Sequence, residues 1–180
     1  IHVDEKMLMA DDSMSIELAK RVLSSTDFHT TGEAARQFDL KLRQATGIAK
    51  APYVAEFARM LLEQGTRLVI FAWHREVWTV LMEKLKIFNP VMFTGSESAK
   101  EKEASLEAFK SGESSVLLMN LRSCEGVDGL QYCCDTIINA ELDWTDQVHE
   151  QCATRVDRPG QKNPTMEIFL VSDEGSDPTV

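Results

Sequence analysis

The stretch HEQCATRVDRPGQK, residues 149–162, gathers His149, Glu150, Arg155, Asp157, Arg158 and Lys162 in an otherwise acidic chain. Arg155 and Arg158 are three apart, a spacing that puts both on one face of a helix or of its last turn. Pro159-Gly160 then stops that helix. Two chemistries fit. Cations at a helix C-terminus stabilise it by about 0.3–1 kcal/mol. Two guanidinium forks can instead clamp an anion in an active site formed mainly by another domain. The residues alone leave both open. His149 and His74 read as a polar helix position and a strand-end contact rather than as ligands or general bases.

Further chemistry-bearing residues follow short apolar runs. His74 and Arg75 come after VIFAW, Thr94, Gly95 and Ser96 after PVMF, and Asp143 and Trp144 after TIINAEL. After VLLMNL comes RSCEGVDGLQ, residues 122–131, where Gly126 and Gly129 stand among Arg122, Ser123 and Asp128. Glycine-rich backbone after a strand can offer N–H groups to a phosphate, and a tight turn into a short helix would use the same residues. A G-x-x-x-x-G-K-[ST] loop is absent. ATGIAK, residues 45–50, has the wrong spacing and follows a helix. LDW offers one aspartate without partners for Mg²⁺, so no complete nucleotide-hydrolysing machine is expected here. The absence of G-x-G-x-x-G speaks against an ordinary dinucleotide-binding enzyme.

Cys124, Cys133, Cys134 and Cys152 form no C-x-x-C pair and have no histidine at ligand spacing. No metal site is therefore expected, and reduced, partly buried thiols of a cytosolic protein are. Trp73 and Trp78 read as packing, and Trp144 at a strand end is the exception.

The elements that must position these residues change character along the chain. Residues 1–50 read as a polar helical arm, with a helix opened at Asp12 or Ser13 and another opened at Thr30 or Thr31 and closed by Gly47. From residue 51 helices and strands alternate. APYVAEFARMLLEQG opens near Pro52 and ends on Gly65. Buried strands are expected at 67–73, 114–121, 135–142 and 166–172, and a short strand ending in a glycine turn at 90–95. The helices between them are HREVWTVLMEKLKIF, SAKEKEASLEAFKSG with Gly112 as stop, and WTDQVHEQCATRVDR. Such alternation implies an α/β fold, a parallel sheet with right-handed crossovers and helices on both faces. Ligands then bind at the carboxyl ends of the strands, where the clusters above fall.

The composition is that of a soluble globular protein, 43% hydrophobic and 27% charged over 180 residues. A net charge of −10 argues against an all-over nucleic-acid surface and permits a local basic groove. No apolar run approaches a membrane span, no signal peptide is read, and a cytoplasmic location is expected. The start at Ile1, without an initiator Met, reads as an excised fragment.

LVIFAWHREV, TGSES, LLMNLRSCEGVDGLQ and ELDWTDQVHEQCATRVDRPGQKN, in that order, resemble the second RecA-like lobe of superfamily-two helicases. More narrowly they are similar to Swi/Snf-type ATPases of a bacterial or phage-like branch, over roughly residues 44–175, with residues 51–180 as the lobe. The resemblance implies a DNA-dependent ATPase and translocase whose ATP and Mg²⁺ are held mainly by a first lobe outside this chain. Gln151, Arg155, Arg158, Gly160 and Gln161 match helicase motif VI, which would make Arg155 and Arg158 arginine fingers at the γ-phosphate. By the same likeness Gly126, Asp128 and Gly129, with Gln151, lie near the nucleotide. Arg122, Ser123, Thr94, Gly95, Ser96 and Trp144 face double-stranded DNA. The chain departs from the pattern at Asp157, where histidine is usual, and at Cys124-Glu125 in a loop usually small and glycine-rich. The isolated lobe is expected to be inactive, its partners being the N-terminal lobe and DNA. The alternative is an acidic protein-interaction module that retains the fold without ATPase activity.

Overall fold

The structure is a computed structural model that describes residues 1–2, 20, 28–122 and 127–179. They form two compact units, Ile1–Lys50 with Val171–Val180, and Ala51–Leu170. The helix expected at residues 12–25 and its Asp12 or Ser13 cap lie outside the described residues.

In the first unit the C-terminal segment is tied to helix α1 (Phe28–Glu63) by buried polar groups. Lys50 Nζ pairs with the Asp177 carboxylate, the two side chains being only 1% and 4% exposed. Asp177 also accepts the Ser172 N–H at 2.8 Å, and the Ser176 N–H donates to Thr46 Oγ1 at 3.0 Å. Burial makes each of these bonds matter, because none can be replaced by water without opening the segment.

Helix α1 corrects one expectation. It runs unbroken through Gly47 and past Pro52, where the sequence signals an end and a new start. Proline removes one intrahelical donor and strains the preceding turn. That cost is offset by a buried face continuing on both sides of it, Thr46, Ala49 and Lys50 before and Val54, Ala55, Ala58 and Leu62 after. Gly65 ends the helix as expected, at φ +86°, with its N–H on the Leu62 carbonyl.

The second unit is built on β1 (Leu68–Ala72), β2 (Val91–Phe93), β3 (Val116–Asn120), β4 (Thr136–Asn139) and β5 (Met166–Phe169), in the order β2-β3-β1-β4-β5. All four pairings are parallel, with Leu68 opposite both Val116 and Thr136. Strands β1, β3 and β4 are buried at every position, as apolar strands covered on both faces must be. Their connections are α2 (Arg75–Lys84), α3 (Ala99–Ser111) and α4 (Asp146–Ala153). Alternate residues Val69, Phe71, Leu117, Met119 and Ile137 point to one face, where they join Phe109 of α3 and Cys152 of α4 in a single core. The β1–β2 crossover runs in the opposite direction along the sheet, so right-handedness puts α2 on the other face.

Strand β5 differs from the expectation of a buried strand. It is an edge with one neighbour, β4, and Met166 and Phe169 are 55% and 44% exposed. On α3 Ala104 is exposed, while Phe109 is fully buried. No helix among the described residues is long and apolar enough to cross a membrane.

Candidate functional site

The connections leaving β1 and β4 diverge, which makes the carboxyl ends of these two neighbours the topological switch point of the sheet. Glu141, 5% exposed, closes it. Its carboxylate accepts the N–H groups of Trp73 and His74 at 2.7 and 2.9 Å and meets His74 Nδ1 at 2.5 Å. Two residues on, buried Asp143 receives Arg122 side-on, Nε to Oδ2 at 2.8 Å and Nη2 to Oδ1 at 3.1 Å. The Arg122 guanidinium lies 5.5 Å from the Trp73 ring centroid, within cation–π range. Asp143 Oδ1 also accepts the Thr145 N–H, and the Asp143 N–H donates to His149 Nε2 at 3.0 Å. His149 thus serves as a buried acceptor that orients this loop.

The turn after β2 is built around Thr94, which is fully buried. Its N–H and hydroxyl donate to the Glu97 carboxylate, at 2.6 Å and 2.9 Å, and the Ser96 N–H reaches Thr94 Oγ1 at 3.3 Å. Gly95 and Ser96 are exposed. Arg75 Nη2 stands 3.5 Å from Ser96 Oγ. Ser98 then starts α3 with a reciprocal capping box to Glu101.

The arginine-bearing segment departs from the expected helix. Helix α4 ends at Ala153, and residues 154–160 form successive tight turns. Arg158 precedes Pro159, which disfavours helical backbone at Arg158. The two guanidinium groups consequently have different environments. Arg158 Nε donates to the Thr154 carbonyl at 2.7 Å, and Nη1 donates to the Val127 carbonyl at 3.3 Å and to Asp128 Oδ1 at 3.0 Å. Arg155 is half-buried, its Nε is shielded and unbonded, and no carboxylate pairs with it among the described residues. Asp157, between them in sequence, is exposed and forms no ion pair with either arginine. Gly160 has φ +101°, and a Cβ there would lie 2.7 Å from Tyr132 Cε1. Gln161 donates to the Cys134 carbonyl at 2.8 Å and so anchors the end of the segment to the start of β4. Gln151 is exposed on α4, and Gly129, at φ +87°, turns the chain into a short 3-10 turn over Leu130–Tyr132. Ser123 and Gly126 lie outside the described residues.

The profile of the helicase conserved C-terminal domain family matches residues 50–160. The chain belongs to that family. This helicase C-terminal lobe is 25% identical over 150 residues to the Drosophila melanogaster "SWI/SNF-related matrix-associated actin-dependent regulator of chromatin subfamily A-like protein 1". The match takes in 81% of this chain and 20% of that protein, so the chain spans about a fifth of the length of its curated relative. The C-terminal part of the Fun30 ATPase domain shares its fold at a TM-score of 0.71 and 10% identity, over 97% of this chain and 83% of the other. The Sulfolobus solfataricus SWI2/SNF2 ATPase core domain does so at 0.74 and 16%, over 95% of this chain and 38% of the other. Together these matches identify a helicase C-terminal domain whose fold is shared with the Fun30 and SWI2/SNF2 ATPase domains.

Within the helicase lobe, the fold pairs Arg158 with Asp128, and Thr94 and Ser96 with Glu97 and Arg75. Arg122 is held by Asp143, read from sequence only as an isolated carboxylate. Trp144 is 47% exposed beside it. Glu97, Glu141 and Arg75 were not singled out as site residues. The available signal was a charged residue at or just beyond a strand end. Among the described residues no cluster of three His, Cys, Asp or Glu side chains could hold a metal ion.

Proposed function

We propose that this chain is the second lobe of a DNA-dependent ATPase and translocase, with residues 1–50 as a helical arm and 51–180 as the lobe. It closes over ATP bound to a first lobe. Bound ATP with Mg²⁺, ligated mainly by that first lobe, supplies the transferable phosphoryl group. The residues of this chain fit one side of such a site: cationic donors, with no metal-binding cluster among the described residues.

The observation that carries the reading is the different state of two arginines three residues apart. Arg158 is fixed by Thr154, Val127 and Asp128, which holds the segment still. Arg155 carries a guanidinium unpaired with any carboxylate among the described residues. A pre-positioned, uncompensated guanidinium is what stabilises charge on phosphoryl oxygens in the transition state. Arg155 is therefore the finger, and Arg158 positions it while presenting its remaining edge. Gln151, Asp128 and Gly129, with Gly126, line the nucleotide side. Thr94, Gly95, Ser96, Arg122, Ser123 and Trp144 contact the backbone of double-stranded DNA, a sequence-independent mode.

The test is duplex-stimulated ATP hydrolysis by the full-length protein. Arg155→Ala is expected to lose about 10³–10⁵ in turnover while unfolding at the parental temperature. The isolated lobe is expected to show no turnover. Parental hydrolysis by Arg155→Ala would falsify the finger assignment. ATPase activity that duplex DNA does not stimulate would remove the translocase reading.

A further inference from the structure

The turn after β2 already holds an anion of its own. Glu97 directs its carboxylate inward: one oxygen takes the Thr94 N–H at 2.6 Å, and both lie 2.9 Å from Thr94 Oγ1. A backbone N–H and a hydroxyl converging on one oxyanion is also how a nucleic-acid phosphate is held without reading sequence. Ordinary helix capping does not account for this arrangement, because the capping box of α3 is complete without it. Ser98 and Glu101 satisfy each other, with Glu101 taking the Ser98 N–H at 2.8 Å and its hydroxyl at 2.7 Å. Arg75 stands at the mouth of the same turn, exposed and 3.5 Å from Ser96 Oγ. Among the described residues it pairs with no carboxylate, although Glu97 adjoins Ser96 in the chain. The nearby acid is turned away from the cation and onto buried Thr94.

We propose that Glu97 is an internal competitor for the DNA backbone phosphate at this turn. In the free lobe it holds the Thr94 donors, and a phosphate drawn in by Arg75 and Ser96 displaces it. The inference rests on the reading above that residues 94–96 contact the DNA backbone, and it adds Arg75 to that contact. The arrangement sets a threshold. An isolated anion gains little by replacing one oxyanion with another, whereas a duplex gains the Arg75 contact as well.

The test is binding of a short, labelled, random-sequence duplex to the full-length protein, followed by fluorescence anisotropy over a salt series. Glu97→Gln, which cannot accept with both oxygens, is expected to tighten binding by about tenfold. Glu101→Gln removes the same charge one turn away without freeing Thr94, and is expected to change affinity by about twofold or less. In a Thr94→Val background Glu97→Gln is expected to lose most of its effect. Should Glu97→Gln fold poorly, Glu97→Asp, one methylene shorter, tests the same freeing of Thr94 and is expected to tighten binding.

Equal tightening by Glu97→Gln and Glu101→Gln reduces the effect to bulk charge and overturns the proposal. Weaker binding by a well-folded Glu97→Gln overturns it too, and makes the contact purely structural. Arg75→Ala separates the two readings. It is expected to make the dependence of log affinity on log salt shallower by about 0.9, one phosphate contact. If it does so while Glu97→Gln changes nothing, only the competitor role fails. If Arg75→Ala leaves affinity and slope untouched, the backbone contact at this turn fails, and the competitor with it.

Discussion

Arg158 Nη1 lies 3.0 Å from Asp128 Oδ1, and this bond fastens the arginine-bearing turns after α4 to the loop after β3. The Gly129 N–H and the Arg158 guanidinium together hold the Asp128 carboxyl below the usual carboxylate range. A depressed folded-state value means the stabilisation is present above the unfolded pKa and is lost as pH falls through the lower, folded one. The affected window is therefore strongly acidic, below about pH 4, and the link is intact at neutral pH.

Arg158→Ala is expected to raise the Asp128 pKa only part of the way to its ordinary value, because the Gly129 N–H still donates. Carboxyl chemical shifts followed through an acid titration measure this. An unmoved Asp128 titration would show that the ion pair does not operate in solution.

Lys50 and Asp177 make a different kind of pair, one removed from water. Removing one partner of such a buried pair costs about 3–5 kcal/mol. Asp177→Ala also deprives the Ser172 N–H of its acceptor. Both Lys50→Met and Asp177→Ala are expected to lower the denaturant midpoint markedly, with Asp177→Ala the worse of the two. A loss below about 1 kcal/mol would place the pair among exposed salt bridges instead.

Gly160→Ala meets two obstacles, a backbone at φ +101° and the Tyr132 ring at 2.7 Å from the new Cβ. Tyr132 is 70% exposed and can swing aside, so the backbone strain dominates, at about 1–2 kcal/mol. Gly160→Ala combined with Tyr132→Ala should recover little of the loss in thermal unfolding. Full recovery would put the cost in the ring contact.

Burial pushes the Cys133 thiol up and raises Cys134 to about 12. Here the folded-state value is raised, so stability is full below the unfolded pKa and declines as pH rises from about 9 towards 12. Native protein at pH 9 is expected to leave Cys134 unalkylated by iodoacetamide while denaturant exposes it, as peptide mapping would show. Native labelling of Cys134 at the rate of a free thiol would contradict its burial.

Strands β1 and β3 could be read from sequence because a parallel strand covered on both faces must be an unbroken apolar run, and LVIFA and VLLMN are such runs. Helix ends at Gly65 and Gly112 were readable for the same kind of local reason, since both adopt φ near +86 to +87°. Local signals failed where distant burial overrode them. Gly47 and Pro52 stop a helix by propensity, yet α1 continues through both. The exposed state of β5 depends on its place at the end of the strand order, which no property of MEIF records.

The sequence by itself determined that arginines, hydroxyls and glycines stand at strand ends and in the segment 149–162, and that the strands alternate with helices. Only the tertiary structure decided which of those groups are already engaged. Arg122 is taken by Asp143, Arg158 by Asp128 and Thr94 by Glu97, while Arg155 and Arg75 pair with no carboxylate among the described residues. Charge type is written in the chain one residue at a time. Charge compensation depends on which loops the order β2-β3-β1-β4-β5 sets side by side, and residues 21 and 30 positions apart become partners only there.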